Sequence, residues 1–309
     1  MLERYDVRDQ SGRIAVVTGA TGGLGLRVAE VLASRGARVF IGSRNAARGA
    51  AALEQVTAAA AGAVPELVNL DLADLSSVKA AAADIRARSG DRLDLLVNNG
   101  GVMAPPRSFS PDGFELQWAT NVLGPAALTW LLLPAIETAT AARVVFVSST
   151  RHHSGSFDER RLRADLRGEG YRGFDYYGRT KLADLLLSRE LQKHFARTGS
   201  RAISLAAHPG FTATGIVGNG FAALPGFVRP VANWGAHAFG QPVEIGALPI
   251  LVAATDPDVA GGSYLGPKDF GGLRGAPGPS KRSAPSESDE LGAHLVRVVA
   301  ELTGVPAPA

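Results

Sequence analysis

Tyr177 and Lys181 stand four positions apart in a segment, Tyr177 to Phe195, whose apolar residues recur at helical spacing. Both side chains would then share one helix face, a turn apart. Such a pair is suited to proton transfer. A free phenol titrates near 10, and bringing it to neutrality requires roughly 4 kcal/mol at about 1.36 kcal/mol per unit. A lysine charge about 4–5 Å away contributes approximately that much at an effective dielectric near 20. The plainer reading is an exposed pair of helical neighbours. The same spacing recurs at Tyr264 and Lys268, but Gly266 and Pro267 lie between them and forbid a regular helix turn. Tyr177 is therefore the candidate acid/base. The absence of cysteine removes disulfides, thiol nucleophiles and cysteine-ligated metals. His152 and His153 show no metal-ligand spacing to the other histidines; they read as loop residues, and no metal is expected.

A second chemical signature lies near the N-terminus, in Thr18-Gly19-Ala20-Thr21-Gly22-Gly23-Leu24-Gly25. It follows a β-branched run and opens a helix. Glycines 19, 23 and 25 let the backbone turn tightly and approach a pyrophosphate, and free N–H groups at the helix start attract the anion. Gly19, Thr21, Gly23, Leu24 and Gly25 are read as touching a dinucleotide; the bland alternative is a tight turn. After the second strand the chain reads Gly42-Ser43-Arg44-Asn45, with no carboxylate to select NAD. Arg44 can pair with a 2′-phosphate through two parallel N–H groups, so NADP(H) is favoured over NAD(H). Asp71 and Leu72 end the third strand on the adenine side, where Asp71 either accepts from the adenine amino group or caps the next helix.

The elements that must position these residues are legible from pattern. Predicted strands are Ile14 to Val17, Val39 to Ile41, Leu67 to Leu70, Leu93 to Val97, Val144 to Val147, Ile203 to Ala206 and Ser263 to Leu265, separated by alanine-rich helical segments. The expected fold is α/β, a doubly wound (Rossmann), mostly parallel sheet of about seven strands with helices on both faces. Residues 1–309 read as a single domain with a substrate loop at 211–245 and a C-terminal extension at 271–309 that ends in an amphipathic helix. Residues 151–174 and the Gly/Pro/Ser-rich 271–286 read as surface loops. The longest strongly apolar run, Ala126 to Ile136, is shorter than a membrane span needs, and the N-terminus lacks an apolar signal region, so no membrane span and a cytoplasmic location are expected. Charge is nearly balanced, 32 basic against 29 acidic residues, which argues against nucleic acid as a partner. The densest basic stretch, Arg160 to Arg172, reads as a solvated face.

Taken in order, TGATGGLG, Asn98-Asn99-Gly100-Gly101, Asn121, Ser148-Ser149, Tyr177-Gly-Arg-Thr-Lys181 and Pro209-Gly210 resemble the motifs of the short-chain dehydrogenase/reductase family. They span residues 18 to 214, about two thirds of the chain. The segment before Tyr177 and the C-terminal third look similar to the branch holding retinol dehydrogenases, the WW-domain oxidoreductase and light-dependent protochlorophyllide reductase. The resemblance implies that Tyr177 exchanges a proton with the substrate oxygen and that Ser149 hydrogen-bonds that oxygen. It further implies that Lys181 holds the nicotinamide ribose and lowers the tyrosine pKa, and that Asn121 positions a water-linked proton relay. Asn99, Gly100 and Gly101 would line the adenosine side; Pro209, Gly210, the backbone of Thr212 and the hydroxyl of Thr214 would hold the nicotinamide end. Singly, these residues read as a strand end, a helix cap or kink, and a turn. Three departures stand out: Gly100 where alanine is usual, Thr180 where serine is common, and 28 positions from Ser149 to Tyr177, about twice the usual gap. Extra residues there could obstruct the helix pairing of family tetramers, so a monomer or homodimer is expected.

The ligand crevice of a doubly wound sheet lies beyond the C-terminal strand ends, which places segments after Ser149 and Gly210 around the substrate. The phenylalanines and Trp234 of the latter suit an apolar carbonyl or alcohol, or else complete the core. Two other functions fit the same residues: NADPH-dependent reduction of a carbon–carbon double bond, and a regulator that senses NADP(H) without turnover. The retained tyrosine and lysine speak against the last.

Overall fold

The computed structural model describes residues 5–212 and 240–308. Within them lie the strands β1 (Ile14–Thr18), β2 (Arg38–Ser43), β3 (Glu66–Asn69), β4 (Leu95–Asn98), β5 (Arg143–Val147), β6 (Ile203–Ala207), β7 (Tyr264–Asp269) and β8 (Arg274–Pro279). They form one sheet in the order β3-β2-β1-β4-β5-β6-β7-β8. The first seven run parallel, and β8 returns antiparallel beside β7. The order reverses between β1 and β4, so a crevice opens at their C-terminal ends.

Alternation along the strands divides the core in two, because successive side chains leave opposite faces. Val16, Phe40, Leu96, Val144 and Phe146 face one layer, made by α3 (Leu75–Ser89), α4 (Leu116–Thr138), α6 (Gly173–Thr198) and α8 (Asp289–Thr303). Val17, Val39, Ile41, Val97 and Val145 face the other, made by α1 (Gly23–Ser34), α2 (Ala46–Ala59) and α7 (Val243–Thr255). Both layers are held close by small residues. At Gly124 of α4, an added Cβ would stand 2.1 Å from the backbone oxygen of Leu72.

Several expectations need correction. The predicted seventh strand is real but has an eighth beside it: Arg274–Pro279 lies inside the stretch expected to be loop. Its prolines are tolerated because an edge strand leaves one row of N–H positions unpaired. The other expected loop holds a short helix, α5 (Glu159–Leu166), which buries Leu162 and Leu166, four apart, against the first layer. The basic stretch it carries is not simply solvated. Buried Asp165 pairs with Arg161 and Arg179, and Arg163 pairs with Glu301 of α8. Leu93 lies before β4 rather than in it; its N–H goes to the Ala135 carbonyl. Finally, the apolar run Ala126 to Ile136 belongs to α4, whose 23 residues and mean hydropathy of 1.4 suffice in length and composition to cross a membrane. Of its most apolar window, 83% is buried inside the protein, as befits a core helix that is apolar all round.

Leu96 sits fully buried at the centre of β4. Leu96→Ala should lower the unfolding free energy by about 2–5 kcal/mol, measured by denaturant unfolding; a loss below about 1 kcal/mol would contradict the packing described.

Candidate active site

Two contiguous hollows occupy the crevice, and Leu24, Asn99 and Gly101 border both. The first is walled by the glycine loop and by Arg44, Asp71, Leu72, Asn99, Gly100 and Gly101. Its floor exists because side chains are missing. A Cβ on Gly19 would stand 2.6 Å from the Gly100 Cα, and one on Gly25 would stand 2.4 Å from the Asn99 amide nitrogen. Gly19 also takes φ +65°, which other residues seldom adopt. Gly100, the departure from alanine, lets Leu72 close in: an added Cβ would lie 2.6 Å from the leucine methyl. The strand ends are tied by Thr18, whose hydroxyl accepts the N–H groups of Asn99 and Gly100 at 3.0 and 2.9 Å.

Facing this hollow, α1 begins at Gly22 with no capping side chain and no acidic residue in its first turn. Unsatisfied N–H groups there are an anion site in waiting. Arg44 is more than half exposed and lies 3.8 Å from Asp71. Asp71 does not cap α3, since Asp74 does so by accepting from Ser76 and Ser77; Asp71 instead accepts from the Ala73 N–H. Arg48, a turn beyond Arg44, also lines the hollow. It was not among the expected cofactor residues, although its place in the first turn of α2, just after Arg44, was a usable signal. The donor set, a bare helix start with two guanidinium groups nearby, fits a phosphate-rich ligand such as NADP(H).

The second hollow is lined by Ser149, Tyr177, Lys181, Pro209, Gly210 and Thr212, together with Met103, Arg151, Phe174, Phe211 and Leu273. Tyr177 and Lys181 share the inner face of α6, and both are buried. The ammonium lies 5.6 Å from the phenol ring centroid, so the two groups face the same space. Lys181 does not act alone, however. It donates to the Val147 carbonyl at 2.9 Å and to the buried carboxylate of Asp184 at 2.8 Å. Burial raises Asp184 to about 6, and the carboxylate in turn raises Lys181. At neutral pH both are charged. A lone-lysine field, as the spacing alone suggests, therefore overstates the positive charge beside the phenol, because a counter-charge three residues further along the helix was not counted.

Asn121 sits in a π-helical turn, Ala119–Leu123, within α4. It accepts the Val102 N–H at 2.8 Å and donates to the Val102 carbonyl and the Thr180 hydroxyl at 2.9 and 3.1 Å. Thr180 thus links the tyrosine helix to Asn121. Ser148 and Ser149 point to different tasks. Ser148 is buried and donates to the Lys181 carbonyl at 2.7 Å, whereas Ser149 is partly exposed to the hollow and accepts the Arg151 N–H. His152 is not the loop residue expected. It is buried in a 3-10 turn, its Nδ1 lies 2.6 Å from the Ser149 carbonyl, and it stacks edge-on against Tyr264. Desolvation lowers it to about 4, so it is neutral at pH 7. His208 likewise is lowered to about 4 by burial and accepts the Gly210 N–H, bracing the Pro209-Gly210 turn. Tyr264 and Lys268 lie on β7, not on a helix. Of the expected loop 211–245, residues 213–239 lie outside the described residues, and Thr214 and Trp234 with them.

Comparison with known proteins agrees with this geometry. A family model described as short chain dehydrogenase matches residues 13–159. Human retinol dehydrogenase 12 is 39% identical over 206 residues, 67% of this chain but 63% of that protein, so the chain spans less than two thirds of that relative's length. Mouse polyprenol dehydrogenase is 37% identical over 265 residues, covering 83% of this chain and 76% of that one. A crystal structure of an uncharacterized protein from Mycobacterium Paratuberculosis superposes with a TM-score of 0.79 at 34% identity and 98% coverage of both chains.

Because burial raises Asp184 to about 6, lowering the pH through that value should neutralise the carboxylate and leave the Lys181 charge unopposed beside the nicotinamide end, so affinity for NADP+, whose ring is cationic, should fall relative to NADPH, whose ring is neutral. Asp184→Asn should stay at the lower NADP+ to NADPH affinity ratio from pH 5 to 8. Calorimetric titration of both proteins checks this, since the ligand's own ionisation is common to the two; identical pH profiles would dismiss the proposed counter-charge.

Proposed function

The chain belongs to the short chain dehydrogenase family, and from that premise we propose that it is an NADP(H)-dependent oxidoreductase acting on the carbonyl or alcohol carbon of an apolar substrate. The observation that carries this reading is the hollow in which Ser149, Tyr177 and Lys181 meet, opening directly onto the glycine cradle. A nicotinamide bound there would supply or accept the hydride. In the reducing direction, Tyr177 gives its phenolic proton to the substrate oxygen as the carbon is reduced, and takes it back in the oxidising direction. Ser149 donates a hydrogen bond to that oxygen and steadies the charge developing on it. Two of the three Lys181 protons go to Val147 and Asp184, which leaves the third for a ribose hydroxyl. Asn121, held by Val102 and Thr180, anchors a water-linked route for the returning proton.

Gly19, Thr21, Gly23, Leu24 and Gly25 are assigned to the pyrophosphate, Asp71, Leu72, Asn99, Gly100 and Gly101 to the adenosine side, and Pro209, Gly210, Thr212 and Thr214 to the nicotinamide end. Preference for NADP(H) rests on Arg44 and Arg48 and on the lack of a carboxylate at the end of β2. Apolar substrates are supported by Met103, Phe174, Phe211 and Leu273 around the hollow. Relatives named for retinol and polyprenol, both long apolar alcohols, point the same way. We read the protein as a single-domain, cytoplasmic monomer or homodimer. Supporting this, most of the apolar surface of α4 is buried in the core, and α8 packs along α6 with Arg189 and Lys193 paired to Asp289.

Tyr177→Phe should lower turnover of an apolar aldehyde by about a hundredfold to ten-thousandfold while NADPH binding, followed by fluorescence, stays within about threefold. Retained turnover would remove the acid/base role. Arg44→Ala should narrow the preference for NADPH over NADH by on the order of tenfold; equal affinity of the native protein for both cofactors would overturn the assignment of Arg44.

A further inference from the structure

The rim of the substrate hollow carries one charge that nothing in the proposed chemistry uses. Arg151 lines the hollow two residues after Ser149, and its guanidinium lies over the Phe174 ring at 5.8 Å. Phe174 and Leu273, which share the rim, are 41% and 43% exposed, unusually open for side chains of their size. Among the described residues the Arg151 side chain makes no hydrogen bond and no ion pair, and Asp175 beside Phe174 is no exception.

The lack of a counter-charge extends beyond that contact. Among the described residues lining the hollow, two are cations, Lys181 and Arg151, and none is a carboxylate. Lys181 is matched by Asp184 at 2.8 Å, so of these two described residues Arg151 is the one left uncompensated. Residues 213–239 cannot supply a carboxylate from their side chains, since they contain no aspartate or glutamate. A guanidinium on an aromatic face, beside apolar groups and without a partner, is weakly hydrated and presents its fork outward.

We propose that Arg151 is a specificity-determining residue that binds a carboxylate at the far end of an otherwise apolar carbonyl or alcohol substrate. The assignment rests on the reading of the hollow as a substrate site. One guanidinium matches the single charge of a carboxylate through two parallel N–H bonds. A phosphate dianion would leave excess negative charge against the apolar rim, which disfavours it.

The test measures binding and turnover separately. Titration calorimetry with saturating NADP+ compares a medium-chain ω-oxo carboxylate with its methyl ester, on the native protein, Arg151→Ala and Arg151→Lys. The expected result is that the acid binds the native protein more tightly than the ester by about tenfold. In Arg151→Ala that ratio should collapse toward one, and in Arg151→Lys, which keeps the charge but loses the fork, it should be intermediate. Equal affinity for acid and ester in the native protein, or a preference that survives in Arg151→Ala, overturns the proposal. NADPH oxidation with the same pair then tests the underlying reading. Tighter binding of the acid without turnover of either compound would support the carboxylate subsite and refute carbonyl reduction.

Discussion

A buried ammonium is costly unless its charge is answered nearby, and the placing of Lys181 depends on how this fold answers it. The Val147 carbonyl at the end of β5 and the Asp184 carboxylate, one turn along α6, take two of its protons. Those contacts fix the lysine beneath the crevice and draw α6 onto the sheet. Tyr177 then follows by helix geometry alone, since a residue four positions back projects from the same face. Ser148 reinforces the same junction by donating to the Lys181 carbonyl, which leaves the neighbouring Ser149 to face the hollow. The position of Tyr177 is therefore tied to one strand end and one carboxylate.

The other half of the crevice is shaped by omission. Where β1 and β4 diverge, Gly19, Gly25, Gly100 and Gly101 keep backbone surfaces within reach of one another, and any Cβ at Gly19 or Gly25 would strike backbone or the Asn99 amide. Thr18 closes the same gap through hydrogen bonds. The bare start of α1 is tolerated because it faces an opening rather than a packed wall, so its N–H groups can meet solvent or a phosphate. Packing, polarity and ligand chemistry agree here: the residues that cannot be larger for steric reasons are those that border the space a dinucleotide would need.

Much of this was legible in the residues. Parallel strands, the glycine turn, the tyrosine–lysine face and the ordered motifs are local in sequence, and local patterns report local geometry. The rejection of Tyr264 and Lys268 as a second pair came from Gly266 and Pro267 alone, and the two residues indeed lie on a strand. What escaped was set by long-range contact. β8 reads as a glycine- and proline-rich loop until β7 offers it an edge. α5 reads as a charged loop until Asp165 is buried between Arg161 and Arg179. His152 became a neutral, buried support of Ser149 because Tyr264, distant in sequence, packs against it.

The sequence by itself determined the family and the order of the strands along the chain, and it singled out the residues proposed to carry proton transfer, because each depends on identity and short-range spacing. Tertiary structure decided which charges are matched. Glu301 answers Arg163, Asp71 approaches Arg44, and among the described residues Arg151 stands at the rim without a partner. The physical reason is that a Coulomb interaction depends on distance and burial, and in a parallel sheet both are settled by elements that meet in space long after they have parted in sequence.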